Sequence, residues 1–168
     1  MTPPGAARTV YFGIGSNLGD RLAHLQAAVD GLAAAGLRIT GLSSVYETEP
    51  VGGPAQPDHL NAVVAVETDL EAAELLAVAL ALEDHEHRER TERWGPRTLD
   101  VDVLLVGEEH LNEPDLVVPH PRLLERGFVL APLRDLDPAL VERMAPGAPA
   151  AWPGVRPAGV RLRHPENP

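Results

Sequence analysis

The sequence predicts a mixed α/β fold of the α+β class: a ferredoxin-like βαββαβ sandwich with a mostly antiparallel sheet. Two observations predict it. Runs rich in β-branched and aliphatic residues alternate with runs whose apolar residues recur at helical spacing. Glycine and proline separate these runs, and their order is strand, helix, strand, strand, helix, strand. We therefore expect both helices on one face of the sheet.

The first half of the chain supplies a strand, a helix and two further strands. Residues 10–15 predict the first strand, and "GIGSNLGD" predicts a tight strand-to-helix turn in which Asn17 bonds nearby backbone. A helix is expected over 20–35, stopped by Gly36. Residues 37–48 predict a strand with a bulge at Gly41. A loop rich in proline and glycine precedes a strand over 60–68.

The second half of the chain begins with "TDLE" at 68–71, which predicts a capping box opening a helix that runs to about Arg90. Residues 98–106 predict the fourth strand. The pattern is less regular after Gly107. Residues 145–168 are rich in proline and glycine, and they predict a loosely packed tail with one short strand at 159–163.

Composition limits the classes of function. The chain has 168 residues, a net charge of −11 and no cysteine, which excludes disulfides and thiolate chemistry. Its charge disfavours nucleic acids and anionic membranes as partners. It has no apolar run of about 20 residues and no signal-peptide pattern, so we expect a cytoplasmic protein with small-molecule ligands.

Asp100 and Asp102 stand out because they interrupt the most apolar predicted strand. Residues two apart in a strand share a face, so their side chains begin roughly 7 Å apart. Leu104 and Val106 should share that face, while Val101, Val103 and Leu105 point to the helices. One reading is a solvated sheet face. The other is a Mg²⁺ site, since Mg²⁺ takes one or two carboxylates together with phosphate oxygens.

Four arginines before the aspartates bear on the choice between a solvated sheet face and a Mg²⁺ site. All 14 basic residues are arginine, and four of them, Arg88, Arg90, Arg93 and Arg97, fall within ten residues just before the aspartates. They are either a salt-bridged helix end, since glutamates are interleaved, or a clamp for phosphate groups. An ordinary phosphate loop is excluded, because it requires a lysine that the chain lacks.

Four segments resemble one family. "GSNLGDR", "YETEPVGGPAQPDHLNAVVAVET", "RWGPRTLDVDVLLVG" and "VPHPRLLERGFVLAPL" occur in this order, and together the chain resembles the 6-hydroxymethyl-7,8-dihydropterin pyrophosphokinases of folate biosynthesis over about residues 10–140. The resemblance implies transfer of pyrophosphate from MgATP to the pterin hydroxymethyl group, with AMP as the other product. It also implies two Mg²⁺ ions, and one domain over 1–168 with its core at about 9–144. A monomer is expected.

The resemblance also implies roles for individual residues. Metal binding is expected from Asp100 and Asp102, and catalysis from these two together with Arg88, Arg90 and Arg97. The residues expected around ATP are Glu83, Arg88, Arg97, Val103, His120 and Arg126. The residues expected around the pterin are Thr48, Glu49, Val51, His59, Asn61, Trp94 and Phe128.

Each of these residues also has a plain structural interpretation: His120 as a turn residue, Phe128 as core, Glu83 as a solvated helix face. Three other functions remain open for the whole chain. They are a silent ATP sensor, a single-strand RNA-binding module and a two-metal phosphohydrolase. The negative charge and the lack of paired aromatic residues on the strands argue against the RNA-binding module.

Overall fold

A computed structural model of the chain describes residues 6–50, 55–86 and 98–165. The strands are β1 (Arg8–Ser16), β2 (Arg38–Leu42), β3 (Tyr46–Thr48), β4 (His59–Thr68), β5 (Asp100–Val106), β6 (Leu111–Asn112), β7 (Val117–Val118) and β8 (Val155–Pro157). The helices are α1 (Arg21–Ala34), α2 (Ala72–His85), α3 (Gly127–Leu136) and α4 (Pro138–Met144), with a 3₁₀ helix at Leu123–Glu125.

The main sheet is antiparallel and follows the order β5-β1-β4-β3-β8, with β2 also paired to β4. Strand β1 lies inside the sheet between β4 and β5, although β4 and β5 follow it by more than 40 residues. Helices α1 and α2 lie on one face, which confirms the predicted ferredoxin-like βαββαβ sandwich.

The second face of the sheet carries a layer that the sequence did not predict. Helices α3 and α4 cover it, and their apolar residues pack on Val63 and Leu104 in a second core. The helical pattern of α3 is hidden because Pro132 lies inside it, where a proline has no N–H to donate to the preceding turn.

Both predicted helices exist, with different ends. Asp20 caps α1 by accepting from the Ala23 N–H, and Gly36 follows the helix at φ +90°, as predicted. The capping box at 68–71 was wrong. Thr68 ends β4 and its Oγ1 accepts from the Leu70 N–H, so α2 begins four residues later, at Ala72. It also ends earlier than predicted, at His85.

The segment 37–48 forms two strands rather than one. The predicted bulge is present, because the register with β4 shifts between Ile39 and Gly41. The Ser43 Oγ then accepts from the Val63 N–H at 2.8 Å, where a continuous strand would offer a backbone carbonyl. This side-chain bond separates β2 from β3.

Strand β5 has a bulge that changes the predicted facing of its last residues. Tyr11 pairs with Leu105 and Phe12 with Val103, so Leu104 is an extra residue. Leu104 shares the aspartate face as predicted, but the predictions for Leu105 and Val106 were wrong. Leu105 lies in the second core and Val106 in the core beneath α1 and α2.

The described part of the tail, 145–165, packs more closely against the domain than predicted. Its strand, β8, lies at Val155–Pro157 rather than at 159–163, and it pairs with β3. Leu162 is buried in the core beneath α1 and α2. Within the described ranges, none of the helices has the length and apolar character needed to cross a bilayer.

Candidate active site

A cavity of about 420 Å³ opens at one end of the sheet, on the face covered by α3. This volume is typical of a small-molecule site. The residues that line it come from β1, β3, β4, β5, α3 and the segments beside them: Gly13, Ile14, Gly15, Thr48, Glu49, Pro50, Gln56, His59, Asn61, Ala62, Asp100, Asp102, His120, Arg122, Glu125, Arg126, Phe128 and Val129.

Strand β1 forms the floor of the cavity with two glycines. Gly15 pairs with Asp100 on one side and with Asn61 on the other, while Gly13 pairs with Asp102. Neighbouring strands are about 4.8 Å apart, so the backbones of Asp100 and Asn61 lie about 10 Å apart across Gly15. Because neither glycine carries a side chain, the space between the aspartates and Asn61 stays open.

Asp100 and Asp102 both line the cavity from β5, on the face shared with Leu104. The intervening Val101 is buried on the helix side. The strand geometry therefore brings two carboxylates to one wall, as the sequence predicted. No third histidine, aspartate or glutamate joins them in a ligand cluster within the described residues. Two protein carboxylates suit an ion that keeps water and phosphate oxygens as its other ligands, as Mg²⁺ does.

Asn61 and Thr48 form the opposite wall. Asn61 is buried, and its Nδ2 donates to the Thr48 Oγ1 at 2.9 Å. This bond fixes the amide plane and leaves Oδ1 as an acceptor. Glu49 and His59 line the same side of the cavity. A flat heterocycle with N–H groups at one edge would meet a matching polar edge here.

His120 and Arg126 enter the cavity from the segment that leads into α3, and Phe128 enters it from the first turn of α3. His120 Nδ1 accepts from the Arg122 N–H at 3.2 Å, so in the neutral ring Nε2 carries the proton and can donate. Burial, aided by Arg126 and Arg122, lowers the pKa of His120. The Arg126 guanidinium lies 5.6 Å from the centre of the Phe128 ring.

Glu83 and Val103 do not line the cavity. Glu83 is buried in α2, and its Oε2 accepts from the Val101 N–H at 2.9 Å. The alternative interpretation of Glu83 as part of a solvated helix face was therefore wrong. The Val103 side chain is buried in the core beneath α1 and α2. Glu83 therefore binds the β5 backbone beside the aspartates, and Val103 lies within β5 on the side that faces away from the cavity.

Comparison with known proteins identifies the family. The sequence model for 7,8-dihydro-6-hydroxymethylpterin-pyrophosphokinase matches residues 11–138, which is most of the chain. The chain belongs to this pyrophosphokinase family. The resemblance inferred from the four sequence segments is thereby confirmed.

Two relatives in the pyrophosphokinase family are similar to the chain over most of their length. The 2-amino-4-hydroxy-6-hydroxymethyldihydropteridine pyrophosphokinase of Bacillus subtilis is 44% identical over 147 residues, which cover 87% of each chain. The enzyme of the same name from Pseudomonas aeruginosa is 43% identical over 132 residues, covering 78% of this chain and 82% of that protein.

Solved structures support the fold. A crystal structure of Plasmodium falciparum HPPK-DHPS with pterin and p-hydroxybenzoate aligns with a TM-score of 0.54 at 14% identity. The alignment covers 80% of this chain but 39% of that longer one. At this identity the likeness concerns the fold alone.

Several residues expected from the pyrophosphokinase resemblance have no structural description. Val51, Arg88, Arg90, Trp94 and Arg97 lie outside the described residues. Of the remaining expected residues, the structure brings nine to the cavity. They are Thr48, Glu49, His59, Asn61, Asp100, Asp102, His120, Arg126 and Phe128.

Nine of the residues that line the cavity were not predicted as site residues, among them Gly13, Gly15, Gln56 and Arg122. Of the three glycines in the stretch predicted as a turn, only Gly19 has a turn conformation, with φ +72°, while Gly13 and Gly15 lie within β1, in agreement with the strand predicted over 10–15. Their spacing of two was the available signal, since it places both on one face of a strand. Gln56 and Arg122 also line the cavity, and no sequence pattern around them indicates a binding site. Asn17, expected to bond nearby backbone, binds across to Gln56 and the Pro57 carbonyl.

Proposed function

We propose that this chain transfers a pyrophosphoryl group from ATP to the hydroxymethyl oxygen of 6-hydroxymethyl-7,8-dihydropterin, a step in folate biosynthesis. Family membership supports the reaction. One observation in the structure gives the proposal its strongest support. Asp100 and Asp102 face Asn61 across the side-chain-free floor at Gly15, so one cavity joins an anionic wall to a polar, amide-bearing wall.

The reaction is a displacement at phosphorus. The pterin hydroxyl oxygen forms a bond to the β-phosphorus of ATP, the bond from that phosphorus to the α–β bridging oxygen breaks, and AMP leaves. The hydroxyl proton is lost to solvent. No covalent intermediate on the protein is needed, and the chain has no cysteine to form one. Catalysis then depends on positioning and charge neutralisation.

Asp100 and Asp102 are the residues proposed to hold magnesium, with two ions in the complete complex. Their carboxylates are hard oxygen ligands on one wall, which fits the preference of Mg²⁺. When bound, magnesium neutralises phosphate charge and polarises the phosphoryl oxygens. We also propose Arg88, Arg90 and Arg97 as the cations that balance the triphosphate, because the chain has a net charge of −11.

His120 and Arg126 are proposed to contact the nucleotide. The neutral His120 ring offers its Nε2–H as a donor, and Arg126 supplies a charge at the same end of the cavity. Glu83 and Val103 are proposed to act on the nucleotide site through strand β5, because Glu83 holds the backbone between the two aspartates.

The pterin is proposed to lie between Asn61 and Phe128. Asn61 offers its Oδ1 to the donor edge of the heterocycle, and Phe128 offers a ring for stacking. Thr48 orients the amide. Glu49, Val51, His59 and Trp94 complete the proposed pterin site, and His59 is an imidazole that can also stack.

The organisation of the chain is part of the same proposal. We propose that residues 1–168 form one pyrophosphokinase domain that acts as a monomer on two small molecules. Neither a nucleic acid nor a membrane has a part in this reaction.

One assay tests the proposed function. The purified chain is incubated with ATP, with and without 6-hydroxymethyl-7,8-dihydropterin and Mg²⁺, and AMP, ADP and phosphate are measured. We expect AMP only when pterin and Mg²⁺ are both present. Absence of AMP would indicate a sensor, and phosphate released without pterin would indicate a phosphohydrolase. Either result would overturn the proposal.

A further inference from the structure

The tail strand β8 carries an arginine that joins two separate segments of the cavity wall. Arg156 donates to the Glu47 Oε1 at 2.8 Å and to the Asp58 Oδ2 at 2.6 Å. Glu47 belongs to β3, and Asp58 is the residue before β4. The side chain of Arg156 is 46% exposed, so it lies at the surface behind these segments.

Arg21 closes the arrangement from the other side. It donates to the Glu47 Oε2 at 2.8 Å and to the Asp58 backbone carbonyl at 2.9 Å. The two guanidinium groups thus hold both oxygens of Glu47, and each also reaches Asp58. We call Arg21, Glu47, Asp58 and Arg156 the wall network. The Arg21 hydrogen bond, together with that from Arg156, lowers the pKa of Glu47, which keeps its carboxylate ionised.

The two segments joined by the wall network carry pterin-side residues. Thr48, which fixes the Asn61 amide, follows Glu47 directly. His59 follows Asp58, and Gln56 lies two residues before it; both line the cavity. Strand β8 also pairs with β3 through backbone bonds, with Glu47 opposite Arg156 and Thr48 opposite Val155.

We propose that Arg156 is a positioning residue for the pterin wall, so that the tail is part of the substrate-binding apparatus. This inference rests on the proposed function. Arg156 does not line the cavity, and it acts by setting the distance between β3 and the segment that ends at Asp58. A single guanidinium nitrogen of Arg156, Nη2, donates to both carboxylates, so the side chain bridges the two segments at one point.

Steady-state kinetics of Arg156→Ala test the proposal. We expect the KM for 6-hydroxymethyl-7,8-dihydropterin to rise about threefold or more, because exposed ion pairs contribute modestly and this residue makes two. The KM for ATP should stay near the wild-type value. Arg156→Lys should restore part of the pterin affinity. The matched control is Arg161→Ala, which removes an exposed arginine from the same tail.

A double-mutant cycle with Asp58→Asn adds a readout that general destabilisation would not produce. If the two residues act through one contact, the effects of Arg156→Ala and Asp58→Asn on pterin KM should be less than additive. Additive effects, equal increases in both KM values, or an unchanged pterin KM would overturn the proposal. Failure of this inference and failure of the proposed function give different results. If the proposed function is wrong, the wild-type protein forms no AMP with pterin; if only the role of Arg156 is wrong, the wild type forms AMP and the variants show one of the three results above.

Discussion

Gly15 is the residue whose small size most directly shapes the cavity. A Cβ added at this position would lie 2.8 Å from the Asn61 Oδ1, so the amide would have to move. Because Asn61 is held by Thr48, that movement would break a buried hydrogen bond. At Gly13 an added Cβ would lie 3.4 Å from the Leu104 side chain, an ordinary contact.

Gly15→Ala should therefore weaken pterin binding about tenfold or more, which corresponds to the loss of one buried hydrogen bond. Titration of the intrinsic pterin fluorescence measures this affinity. Gly13→Ala serves as the comparison and should affect the pterin less. Equal, wild-type-like affinity in both variants would mean that the floor of the cavity does not contact the pterin.

His120 should make folding depend on pH. Its folded pKa is lowered, first by burial and then by Arg126 and Arg122, while the unfolded chain protonates its histidines near 6.5. As the pH falls below about 6.5, the His120 ring binds a proton in the unfolded state but not yet in the folded state, so the free energy of unfolding decreases.

His120→Asn should consequently show a smaller loss of Tm between pH 7.5 and 5.5 than the wild type. Thermal unfolding followed by circular dichroism measures this slope. The His110→Asn variant, which removes an exposed imidazole, is the matched control. Identical slopes for wild type and His120→Asn would show that His120 titrates normally.

At the scale of elements, the Glu83 side chain adds a hydrogen bond to the apolar packing between helix α2 and strand β5. Glu83 accepts from the Val101 N–H, which lies between the two aspartates in the chain. Glu83→Ala would leave that buried N–H without its acceptor, a change that costs about 1–3 kcal/mol. Glu83→Gln keeps an oxygen at the same reach.

Chemical denaturation should therefore show a clear decrease in the free energy of unfolding for Glu83→Ala and a smaller one for Glu83→Gln. The turnover of Glu83→Ala should also fall, since the backbone of the aspartates would be less fixed. Full turnover together with full stability in Glu83→Ala would contradict the positioning role.

The elements also show where sequence patterns succeed and fail. Helix α1 could be predicted because its apolar spacing, its Asp20 cap and Gly36 agree. The bulge at Leu104 could not, because a one-residue offset depends on pairing with β1 and leaves no local pattern. Helix α3 was hidden by Pro132, and β8 depends on pairing with the distant strand β3.

The whole molecule brings together residues from five parts of the chain at one cavity. Sequence reasoning predicted the aspartates from their misplaced charge on an apolar strand. The other cavity residues that it predicted came from the family resemblance. A single histidine such as His120, or a single asparagine such as Asn61, does not by itself indicate a binding site in a sequence. Gln56 and Arg122 reach the cavity through tertiary packing alone.

We expect the protein to be monomeric, since the proposed site is built within one chain. Sedimentation analysis should give a single species near the chain mass of 18.0 kDa. Addition of MgATP and the pterin should leave that mass unchanged apart from the bound ligands. A stable dimer in the ligand-free protein would contradict this expectation.

The most direct test of the central claim is turnover in variants of the two aspartates. Asp100→Asn and Asp102→Asn preserve side-chain shape but remove charge, and AMP formation from ATP and the pterin is measured over a range of Mg²⁺ concentrations. The account predicts a loss of roughly 100-fold or more in either variant, with wild-type turnover in the exposed control Asp115→Asn. Near-normal turnover in Asp102→Asn at the same Mg²⁺ concentration would contradict it.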